Sequence, residues 1–213
     1  MSSSQPFPSL PDRAPYLAAD ELIDGDAQGV RALAGDLRAR HPQDEEFARA
    51  AFEWVRDNVA HSFDAGDPRV TLAASEVLRE RVGLCYAKSV LVAALLRSEG
   101  IPAGLCYQRV GNTEDGFFLH GLVAVHLRSA WHRQDPRGNR PGIDAQFSIT
   151  GERLAYDIDE STGQRDYPDI YATVAPEVVA ALSGASDVLT ARLPSDISDA
   201  DRGTAPADAA AAG

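Results

Sequence analysis

Most of the reactive chemistry in this 213-residue chain gathers around Cys85. Gly83-Leu84-Cys85-Tyr86 closes a turn, and the almost wholly apolar run from Ala87 to Arg97 reads as a buried helix stopped by Gly100-Ile101-Pro102. A thiol in the first turn of such a helix faces N–H groups with no partner inside the helix and the positive end of its dipole. Both favour the thiolate, which is the nucleophilic form. Downstream, His120 lies on the strand-like segment Leu119 to Val125, and Asp135 ends Trp131-His132-Arg133-Gln134-Asp135-Pro136. Cys, His and Asp in this order are the nucleophile, the base and the orienting carboxylate of a thiol acyl-transfer site.

The only other cysteine, Cys106, has the same neighbours, Gly-Leu-Cys-Tyr, so context must separate the two. Cys106 falls in Ala103 to Val110, a short apolar segment between Pro102 and Gly111 that reads as a buried strand, where a thiol acts as a small hydrophobe. Cys85, Cys106, His120, His126 and His132 are all metal-ligand types. None stands at the spacing of a zinc knuckle or a helical His pair, so no metal and no cofactor are expected.

Thirty-two acidic against twenty basic residues give a formal charge of −12, which repels nucleic acid and anionic membranes. Met1 to Pro15 carries neither a basic leader nor an apolar run, and no later stretch is long enough to span a bilayer. The expectation is a cytoplasmic protein with one domain over residues 16–193, a flexible segment 1–15 and a disordered tail 194–213, where composition collapses to Ser, Asp and Ala. Its oligomeric state is open.

The elements that must position these side chains change character midway. Asp24 or Asp26 can cap a helix running to about Arg40, Asp44 to Asn58 places Phe47, Ala51, Trp54 and Val55 on one face, and Leu72 to Arg81 leads into the cysteine turn. After the Cys85 helix the period becomes two: Ala103 to Val110, Phe117 to Leu127, Ala130 to Asp135 and Ile143 to Ser148 read as an antiparallel sheet. Glu152 to Tyr171 is irregular, and Pro176 to Leu182 and Asp187 to Leu193 look like short closing helices. Helices first and strands afterwards mean α+β.

Strand geometry tests the constellation. His120, Leu122, Ala124 and His126 share one face, so His126 is a rival base, yet it lies roughly 20 Å further along the strand. The hairpin must also return Asp135 to His120. If Leu127 pairs with Trp131, Asp135 falls opposite Val123 and faces away; if His126 pairs with Trp131, it falls opposite Leu122, about 7 Å and diagonal from His120.

Gly83-Leu84-Cys85-Tyr86 with its helix ending Gly100-Ile101-Pro102-Ala103, His120 on its strand, the Trp131 to Pro136 ending and the upstream Phe52-Glu53-Trp54-Val55-Arg56-Asp57-Asn58 together resemble the transglutaminase-like core of the papain-like cysteine enzymes, over about residues 45–148. Leu122 stands where that family commonly has an aromatic, and Arg137 follows Asp-Pro. The resemblance implies a papain-like, transglutaminase-like fold with N-terminal helices and the nucleophile helix packed on an antiparallel sheet. Together with the chemistry, it implies a thiol-dependent hydrolase or acyltransferase acting on a peptide or other amide, possibly protein, through a thioester on Cys85, with His120 and Asp135 completing a triad. The Cys85 N–H and the Gln108 amide are the candidate oxyanion donors. Hydrolysis is expected over protein-glutamine transamidation, and a catalytically idle binding module is the alternative of another class.

Overall fold

A computed structural model describes residues 12–197. Its centre is α5 (Cys85–Ser98), in which every residue from Cys85 to Arg97 is buried. Such a helix has no polar stripe because it is enclosed on all sides. Three helices surround it: α1 (Gln28–Arg40), α2 (Asp44–Asn58) and α4 (Ala74–Glu80). On α2 the expected face is inward, with Phe47, Ala51 and Val55 buried, whereas Trp54 sits at the margin under the Arg81 guanidinium, 4.3 Å from its ring.

The remaining side of α5 packs on an antiparallel sheet of order β5-β4-β3-β6, made of β3 (Ala103–Asn112), β4 (Gly116–Leu127), β5 (Ala130–Gln134) and β6 (Arg165–Asp166). Leu119, Val123 and Val125 of β4 join the α5 core. Leu122 and Ala124 face the other way, into a second cluster with Tyr16, Cys106, Trp131 and Ile170. The alternation read from sequence is therefore the alternation that divides two cores. A two-stranded parallel ladder, β1 (Ala60–His61) with β2 (Val82–Gly83), sits just before α5, and the single-turn helix α3 (Ser62–Ala65) follows β1.

Several expectations need correction. Asp24 does not cap α1, which starts after Ala27; its carboxylate accepts the N–H of Ser75 and so caps α4 instead. Ile143 to Ser148 is not a strand. Its backbone groups are taken by side chains: the Gln134 amide bridges both polar groups of Ser148, Arg49 donates to the Phe147 carbonyl, and Arg56 donates to that of Ala145. The fourth strand is β6, beside β3. Asp187 to Leu193 makes only turns, with the Asp187 carboxylate accepting the Leu189 N–H, while the closing helix α6 spans Pro176–Ser183.

Residues 1–11 and 198–213, most of the two expected terminal segments, lie outside the described residues. The inner ends of those segments are packed. Ala14–Tyr16 forms a 3-10 turn whose Tyr16 hydroxyl donates to the Ile170 carbonyl, the Pro194 carbonyl accepts the Leu119 N–H at 2.8 Å, and Ile197 is buried. Residues 194–197 pack there because this stretch finds hydrogen-bond and apolar partners in the rest of the fold.

Candidate active site

The first turn of α5 is fastened to β4 at three points around a single glycine. The Gly121 N–H lies beyond the last pair of the β4–β5 ladder, Val123 with Gln134, and donates to the Cys85 Sγ at 3.3 Å. Ser89 Oγ donates to the Gly121 carbonyl at 3.3 Å, and the Tyr86 hydroxyl donates to the Leu119 carbonyl. Gly121 is required by proximity rather than by its backbone angles. A Cβ there would stand 2.7 Å from Tyr86 Cδ1 and 3.1 Å from its Cα. The thiol therefore occupies the open edge of β4, where β5 has ended, and the α5 geometry leaves the N–H groups of its first turn directed at the same place.

The β4–β5 hairpin takes the register in which His126 pairs with Trp131. Asp135 consequently lands beside His120, with Oδ2 2.8 Å from Nε2. Asp135 has no exposed surface and is saturated: Oδ2 also accepts the Ala155 N–H at 2.9 Å, and Oδ1 the Arg137 N–H at 3.1 Å. The His120 ring is held from the side by Tyr156, edge-on at 5.0 Å. With Nε2 committed to Asp135, the other ring nitrogen serves the thiol.

The electrostatics follow from these contacts. Burial alone would raise the Cys85 thiol, but the charge and hydrogen bond of His120, assisted by His61, outweigh it and bring the pKa down to about 6. Burial would lower His120, yet the charges of Asp135 and of the thiolate hold its proton well above the ordinary histidine range. Asp135 is pushed up by burial and pulled down further by His120, so it stays ionised. The arrangement is a thiolate–imidazolium pair backed by a buried carboxylate. Cys106 is the opposite case: fully buried on the far face of the sheet, its thiol is pushed well up by burial.

Of the sequence-derived site residues, Cys85, His120 and Asp135 converge and Gln108 does not. Gln108 pairs with His120 across β3 and β4, but its amide nitrogen donates to Asp166 at 2.9 Å, a carboxylate shared with Arg133, and it does not line the cleft above the thiol. His126 stacks edge-on to Trp131 at 5.2 Å, and His132 Nε2 lies 3.1 Å from the Leu127 carbonyl, both away from the sulfur. Among the described residues no group of three His, Cys, Asp or Glu side chains could hold a metal ion. No helix among them is long and apolar enough to cross a membrane.

His61 was not legible as a site residue. It is 9% exposed, pairs with Gly83 in the β1–β2 ladder and lines a cleft of about 430 Å³ together with Cys85, His120, Tyr156 and Arg137. Its Nδ1 is buried with no hydrogen-bond partner. Nothing in its local sequence marks it out, because a parallel ladder between distant segments brings it there. A second missed group is Arg137, buried and bidentate to Asp64 of α3 at 2.8 and 3.0 Å.

Residues 31–136 match the family model described as the transglutaminase-like superfamily. No curated protein matches the chain. Among solved structures, one provisionally described as a cysteine protease from Cytophaga hutchinsonii aligns at 19% identity and a TM-score of 0.48, covering 60% of this chain and 43% of that one. The periplasmic domain of TgpA from Pseudomonas aeruginosa aligns at 25% identity and 0.46, covering 58% and 46%. A TGase aligns at 21% identity and 0.41, covering 60% and 35%. The chain spans less than half the length of each of these structures. Its α+β core, with a cysteine at the head of a buried helix against an antiparallel sheet, is that of the cysteine-enzyme kind. By the family match the chain belongs to the transglutaminase-like superfamily.

Proposed function

We propose that this protein is a thiol-dependent amide hydrolase in which Cys85, His120 and Asp135 form the catalytic triad. The observation that carries this reading is the Cys85 thiol, lowered to about 6 by a histidine that a buried aspartate orients. The thiolate attacks the amide carbonyl, and the negative charge moves to the carbonyl oxygen. The Cys85 N–H at the start of α5 donates to that oxygen, and His61, whose ring lines the same cleft and hydrogen-bonds the thiol, takes the role of second donor in place of Gln108. His120 gives its proton to the departing amine as the C–N bond breaks, leaving a thioester. It then takes a proton from water, whose hydroxide displaces the thiolate and leaves a carboxylic acid. Asp135 holds the imidazole in one orientation and stabilises its charged form.

Water at about 55 M competes with any amine for the thioester, so transfer needs a site that binds amine or excludes water. The cleft opens to solvent past Phe63 and Phe118, which are 48% and 37% exposed, and this favours hydrolysis. The test is product analysis with a panel of small amides in the presence of hydroxylamine, using Cys85→Ala as the blank. Carboxylate as the main product supports the reading. Hydroxamate that rises saturably with amine makes the protein a transamidase, and absence of either product with slow Cys85 labelling makes it a binding module.

A further inference from the structure

The wall of the cleft formed by Arg137, Arg140 and Asp64 carries more positive charge than its partners neutralise. Arg137 and Arg140 both line the cleft, and the carboxylate between them is that of Asp64. Arg137 uses both Asp64 oxygens in its fork, a geometry that consumes the carboxylate's best acceptor positions. Arg140 is left at 3.6 Å from Oδ1, too long for a hydrogen bond, with its side chain 53% exposed at the mouth. Asp64 is nevertheless ionised: burial raises it, and the Arg137 hydrogen bond and charge, with His61 and Arg140, bring it down. The sum at the mouth is two guanidinium groups against one carboxylate.

The remaining site charges do not cancel this surplus where a ligand would meet it. Cys85 and His120 form an internally neutral pair, and Asp135 is wholly buried and does not line the cleft. A net positive mouth stands out on a chain whose overall charge is −12.

The local backbone also fixes Arg140 in place. Arg140 and Ile143 exchange backbone hydrogen bonds at 2.8 and 3.2 Å around Pro141-Gly142, with Gly142 at φ +87°. Pro followed by a positive-φ Gly is the pattern of a tight type II turn, which holds the Arg140 Cα still while its side chain reaches into solvent. On the same wall Phe63 supplies an exposed apolar face next to Asp64. An incompletely matched guanidinium beside an exposed apolar surface describes one complement: a group with a carboxylate head on a short carbon stem.

We infer that the substrate of this cleft carries a carboxylate close to the amide that Cys85 attacks, and that Arg140, on the platform set by Arg137 and Asp64, receives it. This rests on the thiol-hydrolase reading for the role of the site, but the anion subsite has its own measurement. Glutarate, a dicarboxylate with a three-carbon stem, is titrated into the native protein and followed by amide NMR shifts at residues 61–64 and 137–143. Saturable shifts that glutaramide does not produce, and that Arg140→Gln abolishes, are expected. No shifts, or equal shifts from glutaramide, overturn the inference.

Whether the subsite serves Cys85 is read by alkylation. The ratio of Cys85 labelling rates with iodoacetate and iodoacetamide, followed by mass spectrometry at low ionic strength, is compared between the native protein and Arg140→Gln. Removing one unit charge within the cleft is expected to lower that ratio roughly two- to six-fold, and added salt should reduce the native ratio in the same direction. Glutarate binding with an unchanged ratio would mean an anion site that does not face the thiol, which overturns its assignment to substrate. If Cys85 labels with neither reagent while glutarate still binds, the thiol-hydrolase reading fails and the anion subsite stands.

Discussion

Replacing His120 with alanine should change the sign of the protein's reactivity difference with pH. In the native site the Cys85 pKa is about 6, against about 9 for an unassisted thiol, a difference of about 4 kcal/mol in favour of thiolate. Without His120 the largest stabilising contribution is gone and burial is opposed by His61 alone, so the thiol is expected to return to about its ordinary 9. At pH 7 the native protein is then about 90% thiolate and the variant about 1%. A higher-pKa thiolate is intrinsically more nucleophilic, by roughly 20-fold over three units at a Brønsted coefficient of about 0.45. The net effect on alkylation is about a 4-fold loss at pH 7, growing to about 40-fold at pH 5, and turning into a gain of about 10-fold at pH 9. Iodoacetamide labelling of Cys85, resolved from Cys106 by peptide mass spectrometry across pH 5–9, measures the crossing. His126→Ala, whose ring lies against Trp131 instead, should follow the native profile. A variant at His120 that keeps a midpoint near 6, or loses reactivity equally at every pH, would show that His120 does not control the thiol.

Gly121→Ala should push α5 away from β4, since its Cβ would meet Tyr86 backbone at 3.1 and 3.2 Å. We expect a loss of about 1–3 kcal/mol in urea unfolding together with a thiol midpoint shifted upward, whereas an unperturbed midpoint would argue against this contact as the anchor. Lys88 is buried with its Nζ on the carbonyls of Arg56 and Val59, and burial, with Arg137 nearby, lowers it to about 7. Because the unfolded lysine keeps its proton to about 10.4, the unfolded state binds more protons between pH 7 and 10, so this residue makes stability rise with pH by up to roughly 4–5 kcal/mol. Unfolding free energies of native protein and Lys88→Met should therefore diverge across that window, and parallel curves would refute it. Asp135→Asn should leave the fold standing but drop turnover by orders of magnitude with little change in KM, the mark of a group that orients the base.

Much of the chain's design is local and so was readable from its order. The helix from Cys85 ends at a Gly-Ile-Pro element, the apolar period of Asp44–Asn58 is helical, and the alternation along β4 sets which residues share a face with His120. These follow from backbone geometry and burial, which repeat at fixed intervals along the chain. The type and order of Cys85, His120 and Asp135 were likewise visible. The hairpin register was only half so: sequence reduced it to two choices one residue apart, and side-chain packing of His126 on Trp131 goes with the one that turns Asp135 toward His120.

What only the tertiary structure decided are contacts with no period to announce them. His61 reaches the thiol because β1 pairs with β2, and Asp64 meets Arg137 across 73 residues. Gln108 sits on the right strand, yet its amide is drawn off by Asp166, whose charge Arg133 also holds. Ile143 to Ser148 alternates like a strand but has its backbone groups claimed by Arg49, Arg56 and Gln134 before a neighbour strand can take them. Local propensity fixes which elements form, whereas the partner of each polar group depends on competition among all groups within reach in three dimensions. That competition placed His61, rather than Gln108, beside the thiol.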